Sequence, residues 1–318
     1  MALAHFARRR SPISISPGMG IFIMRRWLLA WLLLAACRPS GRPAGGLTVT
    51  DAAGRTVSLA APARRVVSLL PSFTELLFAM GAGDRLVGRT AWCDYPPAAH
   101  AVPSVGDGMP PNVEAVAARH PDLVVLYHSG PNVTAAEQLA RLGIPAVLLD
   151  LNRLEDLGPA ARTLGRLTGR EVAAESLAAA MDSLAARPPR PAPPPFTSIV
   201  FVVWDNPPIV IGRGSYLHQL AALAGARNVF ADVTVPSAQV SLETIAARDP
   251  DWIAVLQDSA PPGAPAFATR REWRAVRAVR ERRFLLLPGS LFGRPGPRSA
   301  EAVRELRARI EGVGGASR

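Results

Sequence analysis

Two stretches of this chain repeat one another, and the repeat limits the architectures open to it. Val113-Glu114-Ala115-Val116-Ala117-Ala118-Arg119-His120-Pro121-Asp122 leads into an apolar run at 123–126, and Leu242-Glu243-Thr244-Ile245-Ala246-Ala247-Arg248-Asp249-Pro250-Asp251 leads into another at 252–256, with six of ten positions identical. Each copy reads as a short helix ended by a Pro-Asp turn that feeds a buried strand. The spacing predicts an α/β chain of two similar lobes, each with one such unit. Two lobes in one chain leave a cleft between them, where small ligands commonly bind.

A second signal precedes the folded part. Met24-Arg25-Arg26 runs into the almost unbroken apolar segment 27–36 and then Cys37. Positive charge, a short apolar core and small residues make a secretory signal peptide, expected over 1–36 with translation starting at Met24. The run is short for a membrane span, which needs roughly 20 apolar residues. Leu34-Ala35-Ala36-Cys37 resembles the bacterial lipobox, which implies that Cys37 is lipidated and heads an extracytoplasmic, lipid-anchored protein. An ordinary signal peptide with a cysteine at the cut is the other reading. Residues 37–46, rich in Pro, Gly and Arg, suit a flexible tether.

Charge must then be read without the leader. The formal net charge is +11, but five arginines and no acid precede residue 37, which leaves +6 beyond it. Every basic residue is arginine, so P-loop and Schiff-base lysine chemistry are excluded. Arginines 270, 271, 274, 277, 280, 282 and 283 have few aromatics among them and read as a solvated helix face; no nucleic-acid partner is expected. Of the two cysteines, a lipidated Cys37 leaves Cys93 unpaired, as a small buried residue, and no disulfide framework is implied.

Along the remaining chain the pattern divides into a first α/β lobe at 47–153, a link at 154–195 and a second lobe at 196–318. The first opens with a hairpin over 47–59 turning at Asp51-Ala52-Ala53-Gly54, then a strand at 65–70, a capping box at Ser72-Phe73-Thr74-Glu75 opening a helix, and strands at 86–90, 123–127 and 146–149. The link is helical over 154–186, with a break expected near Gly169, and ends in the stiff run Pro188 to Pro195. The second lobe has a strand at 198–203, a turn at Asn206-Pro207-Pro208, a helix at 215–224, a helix capped by Thr269-Arg270-Arg271-Glu272, a strand at 284–287 and a closing helix at 300–311. Asn112 and Ser241 are placed to cap the two repeat helices, leaving Glu114 and Glu243 exposed in their first turns.

Over 64–311 these residues resemble the substrate-binding proteins of ABC importers that have a helical backbone between lobes, the class III periplasmic binding proteins. The resemblance rests on Arg65-Val66-Val67-Ser68-Leu69-Leu70-Pro71-Ser72 with Thr74-Glu75, Cys93-Asp94-Tyr95-Pro96-Pro97, Asn206-Pro207-Pro208, Val235-Pro236 with Gln239-Val240-Ser241, and Arg294 with Pro297-Arg298. The Asp-Tyr-Pro-Pro and Asn-Pro-Pro pieces are similar to the cobalamin (vitamin B12) binders. That resemblance implies a monomeric receptor without catalytic residues or a cofactor, which binds a corrinoid and docks on an ABC permease dimer through Glu114 and Glu243. It implies ligand contacts from Trp92, Tyr127, Trp204, Phe292, Arg294 and the loop at Gly108. Tryptophans of that branch are absent at Gly108 and Ser237, and an acid at Ser290, so haem or a ferric siderophore is the alternative ligand.

Other chemistries find little in the chain. His100, His120, His128 and His218 show no paired ligand spacing, so no metal site is expected, although His128 and His218 sit where they can approach a cleft. Ser72 lacks the Gly-x-Ser-x-Gly elbow and has no base in view. An enzyme on the same fold is the minor alternative.

Overall fold

The computed structural model describes residues 46–191, 198–258 and 264–316. The expected signal peptide, Cys37 and the tether up to residue 45 lie outside them, as do residues 192–197 of the Pro-rich connector. Among the described residues no helix is long and apolar enough to cross a membrane.

The first lobe opens with the hairpin β1 (Leu47–Thr50) and β2 (Thr56–Leu59). Asp51 closes its turn, accepting the N–H groups of Ala53 (3.0 Å) and Arg55 (2.9 Å), while the Arg55 guanidinium bonds both Asp51 (2.7 Å) and the Ala146 carbonyl (3.0 Å). The hairpin is thereby fastened to the sheet. There follow β3 (Val66–Ser68), α1 (Pro71–Ala79), β4 (Leu86–Arg89), α2 (Val113–Ala117), β5 (Leu123–Tyr127), α3 (Gly130–Arg141) and β6 (Ala146–Leu149). The strands form an all-parallel sheet in the order β4-β3-β5-β6.

Helices α4 (Leu157–Thr168) and α5 (Glu171–Ala185) make the link. The break falls at Gly169, whose φ of 61° is left-handed and favours glycine. Beyond it α5 folds back along α4: Ala174 packs over Gly165, and Asp182 lies over Gly158. The link is thus a helical hairpin, with α5 returning the chain toward the second lobe.

The second lobe contains β7 (Ser198–Asp205), β8 (Pro208–Ile211), α6 (Tyr216–Ala224), β9 (Arg227–Asn228), β10 (Ser237–Gln239), α7 (Leu242–Ala247), β11 (Trp252–Leu256), α8 (Arg277–Arg280), β12 (Phe284–Leu287), α9 (Gly289–Phe292) and α10 (Ser299–Ala316). Its sheet runs β10-β8-β7-β11-β12, parallel from β7 to β12 and antiparallel from β7 to β10, with β9 beside the start of β7.

Period-2 alternation assigns the strand faces. Val66, Leu123, Val125, Ile199, Phe201 and Ala254 enter one core that continues through α4 and α5, so both lobes and the link share it. Val67, Val124 and Leu126 face a second core in the first lobe, and Val200, Val202 and Ile253 a third in the second lobe.

Two expected helix starts are corrected. Leu70 holds the cap position of α1 with no side-chain bond and Pro71 takes the first turn, so Ser72 and Glu75 form no capping box. At Thr269 to Glu272 the chain makes only 3₁₀ turns, Ala266–Thr269 and Glu272–Ala275. Trp273 is buried there against Phe267, ring centroids 4.1 Å apart, which draws the segment into the core. Of its arginines, Arg270 pairs with Asp205 (2.8 Å), Arg277 with Asp249 (2.8 Å) and Asp251 (3.1 Å), and Arg283 with Glu281 (3.0 Å), while Arg271, Arg274, Arg280 and Arg282 are exposed.

Candidate functional site

In a parallel sheet the loops after the strands gather at the carboxyl ends, and there the first lobe carries a cavity of about 530 Å³. Leu69, Leu70 and Pro71 follow β3, Thr90 and Trp92 follow β4, and Tyr127, Ser129 and Asn132 follow or end β5; the loop Asp107 to Pro110 closes it. Three expected site residues, Trp92, Tyr127 and Gly108, come together here.

Each is held by an identifiable contact. The Tyr127 hydroxyl donates to Asn152 Oδ1 (2.6 Å), and Asn132 Nδ2 donates to the Tyr127 carbonyl (2.7 Å). Burial raises the Tyr127 phenol above its ordinary pKa of 10.0, so it stays a neutral donor. Gly108 has φ 81°, and a Cβ there would meet Thr90 Cγ2 at 2.6 Å, so the loop lies close against the wall only as glycine. Trp92 is 62 % exposed and Met109 87 % exposed, so large apolar surface is open to water at the rim.

The cavity lining holds no arginine or histidine, and Asp107 is its single charged residue. Cys93 is buried just behind it, 3.1 Å from Thr90 Oγ1, and acts as a packing residue. Among the described residues no three His, Cys, Asp or Glu side chains gather as metal ligands. His128 Nδ1 lies 3.1 Å from Asp150, and His218 lies away from this cavity.

The second lobe contributes differently from expectation. Trp204, near the end of β7, is 59 % exposed and its indole N–H donates to the Asn206 carbonyl (2.8 Å); β7 is the counterpart of β3, so Trp204 stands at the matching end of the opposite sheet. Phe292 is a correction. It is 0 % exposed, because the single turn of α9 directs it into the shared core, where its carbonyl accepts from the Tyr216 hydroxyl.

Arg294 is not a free cleft cation either. It ion-pairs with Asp94 and donates to the Trp92 carbonyl (3.1 Å), crossing from the second lobe to the loop that carries Trp92. Beside it, Arg298 donates two bonds to Glu75 (2.8 and 2.7 Å) and stacks over the Tyr95 ring at 3.8 Å. Glu75 is 3 % exposed, and Arg294 approaches it at 3.7 Å. The Arg294 bond holds the Asp94 carboxyl below its ordinary 3.8. This clasp between lobes was not anticipated for Glu75; the proline at the first turn of α1, which displaces the helix start, is the signal that frees Glu75 from a capping role.

The repeat glutamates stand as expected. Asn112 Oδ1 accepts the Ala115 N–H (2.9 Å) and Ser241 Oγ the Thr244 N–H (3.2 Å), and both Glu114 and Glu243 are exposed in the first turns of α2 and α7. Hydrogen bonds from its own N–H and from Ser241 hold the Glu243 carboxyl below its ordinary value. Among the described residues neither glutamate has a cationic partner within ion-pair distance.

Comparison with known proteins gives a consistent picture. A family model described as periplasmic binding protein matches residues 66–291. The vitamin B12-binding protein of Pectobacterium carotovorum subsp. carotovorum is 30 % identical over 258 residues, covering 80 % of this chain and 91 % of its own. The uncharacterized ABC transporter substrate-binding lipoprotein YvrC of Bacillus subtilis is 30 % identical over 304 residues, covering 89 % and 94 %. Among solved structures, the periplasmic vitamin B12 binding protein BtuF of Vibrio cholerae superposes with a TM-score of 0.61 at 25 % identity, covering 79 % of this chain and 97 % of that one.

Proposed function

The chain belongs to the periplasmic binding protein family, and from that premise we propose that it is a lipid-anchored extracytoplasmic receptor that captures cobalamin or a related corrinoid and delivers it to an ABC permease. The observation that carries the ligand class is the chemistry of the cavity. Its walls are mostly apolar, its polar groups are neutral hydroxyls and one amide, and its single charge is a carboxylate. A broad ring fringed with neutral amides loses little on entering such a space. The carboxylates of a haem, or an anionic ferric siderophore, would enter it without a cation in the lining to replace lost water.

The mode of action is binding without turnover. Trp92 and Trp204, each exposed near the end of a strand in its own lobe, would offer two large aromatic surfaces to the ring. The core shared by both lobes and the link limits hinge bending, so closure is small. Glu114 and Glu243, one per lobe and unpaired among the described residues, dock on the two subunits of a permease dimer.

Calorimetric titration with cyanocobalamin, haemin and a ferric siderophore under one set of conditions tests the ligand. Tight one-to-one binding of the corrinoid alone is expected; haemin or siderophore binding without corrinoid binding would replace the ligand and leave the transport role. Trp92→Ala and Trp204→Ala should each weaken binding by roughly 1 to 3 kcal/mol. Reversing both Glu114 and Glu243 should abolish uptake and leave affinity intact, and a loss of affinity as well would remove them from the docking surface.

A further inference from the structure

A second pocket, of about 440 Å³, lies where the link meets the second lobe, away from the ligand cavity. Three separate chain segments bring arginines to it: Arg153 where the chain leaves the first lobe, Arg187 after the end of α5, and Arg213 in the loop before α6. His218 and Gln219 of α6 complete the charged and polar lining.

The walls are fastened to one another. Tyr216 N–H donates to the Asn152 carbonyl (2.6 Å), Gln219 Oε1 accepts the Leu154 N–H (2.8 Å), and Arg153 Nη1 donates to the Arg213 carbonyl (3.3 Å). The Arg213 N–H is itself pinned to the Val233 carbonyl (2.6 Å). A pocket cross-linked in this way holds its shape without a ligand.

Its charge is unbalanced. Glu155 pairs with Arg153 (3.2 Å) and accepts both bonds of the Gln219 amide (2.8 Å). Among the described residues Arg187 and Arg213 have no carboxylate within 4.0 Å, which leaves two guanidinium groups unneutralised. His218 Nδ1 is buried without a hydrogen-bond partner. The unpartnered His218 Nδ1 lines the same pocket as the exposed Arg187 and Arg213, and together they offer donors to an acceptor-rich ligand.

We propose that this pocket is a binding site for a phosphate group, held by Arg187 and Arg213 with a hydrogen bond from His218. Planar guanidinium donors suit phosphate oxygens, and the volume leaves room for a short organic substituent. Burial, then Arg153 and Arg213, depress the His218 pKa; a bound anion offsets the repulsion from these arginines. The phosphate can arrive free, as a soluble monoester or as a phospholipid headgroup. Bound there, it would tie the link to the second lobe.

The test uses the full chain in detergent, titrated calorimetrically with inorganic phosphate and with glycerol 3-phosphate at constant ionic strength, against Arg187→Gln/Arg213→Gln. Saturable binding that weakens at least about tenfold in the double variant is expected, with corrinoid binding and thermal midpoint unchanged. The His218 imidazole resonance, assigned by its loss in His218→Gln, should shift on saturation of the native chain, which keeps the proposal testable if the double variant folds poorly. A third soluble probe, glycerophosphoglycerol, separates the sources: binding tighter than that of inorganic phosphate and lost in the double variant identifies a phospholipid headgroup, while equal binding of inorganic phosphate and glycerol 3-phosphate with none of the diester identifies free phosphate or a monoester. Absence of saturable binding of any probe, binding untouched by the double substitution in a folded protein, or a motionless His218 resonance at saturation would overturn the assignment.

Discussion

In the first lobe the Asp122 carboxylate accepts the N–H groups of Arg64 (2.8 Å) and Arg65 (2.9 Å) at the start of β3; in the second, Asp251 accepts the N–H and hydroxyl of Ser198 (2.9 and 2.8 Å) at the start of β7. Two residues before these aspartates, His120 and Asp249 both take positive φ, 47° and 42°. The helix, the left-handed residue, the proline and the strand-anchoring aspartate therefore recur as one device. What surrounds the copies does not recur. The counterpart of parallel β4 is antiparallel β8, the cavity is lined by the first lobe alone, and the buried carboxylate Glu75 takes its cations from the other lobe. Repeated parts build the frame, and unrepeated parts build the site and the clasp.

The sharpest way to break this contrast is to remove the clasp. Arg298→Leu takes both bonds from Glu75 and leaves a buried carboxylate with only Arg294 nearby at 3.7 Å. Deleting one partner of a buried pair typically costs about 3 to 5 kcal/mol, and urea unfolding should read a loss of that order. Adding Glu75→Gln should recover part of it, because the stranded charge is gone. A loss under about 1 kcal/mol would mean that the core running through α4 and α5 holds the lobes by itself.

A smaller effect sharpens the comparison within the frame. Asp251→Ala strands the part-buried Ser198 N–H at a cost of about 1 to 3 kcal/mol, whereas Asp122→Ala frees two exposed N–H groups that water can take up, a loss of about 0.5 to 1.5 kcal/mol. Asp251 also receives Arg277 (3.1 Å), whereas among the described residues Asp122 has no such cation, so Asp251→Ala should be the more damaging. Equal losses in matched urea melts would show that the two copies are energetically as well as geometrically alike.

The order of strands and helices was legible because it is local. The repeat, the two caps, the strand at 284–287 and the break at Gly169 all follow from neighbours within a few residues, and the structure has each. Trp92, Tyr127 and Gly108 came from the family resemblance rather than from local pattern, and the structure brings them to one cavity because the loops after the strands of a parallel sheet open at one edge. Phe292 misled because a residue past a strand end can turn either way, and the short α9 turns it inward. Glu75 was misread because Ser-x-x-Glu satisfies a local pattern, while its partner Arg298 lies 223 residues along the chain. Distance in sequence also hid the basic pocket, whose arginines come from three segments that only the folded link brings together.

The smallest expected effect tests the outer half of the clasp by pH. The Arg294 hydrogen bond depresses the Asp94 pKa below 3.8, so folding gains from the ionised carboxylate above that value and loses the gain as pH falls through the folded pKa. Asp94 is 45 % exposed, and water screens the pair, so the contribution is modest beside that of buried Glu75. Urea melts of the native chain and of Asp94→Asn should therefore differ at pH 6 and converge only once the pH has fallen below the folded Asp94 pKa, which lies under 3.8, where the native carboxyl is itself neutral. A difference that persists undiminished after the native Asp94 carboxyl has protonated, followed by its carboxyl NMR shift, would assign the role of Asp94 to its shape and hydrogen bonding. Convergence would mean that Asp94 acts through its charge, and that its protonation releases the ion pair by which Arg294 ties the second lobe to the loop carrying Trp92.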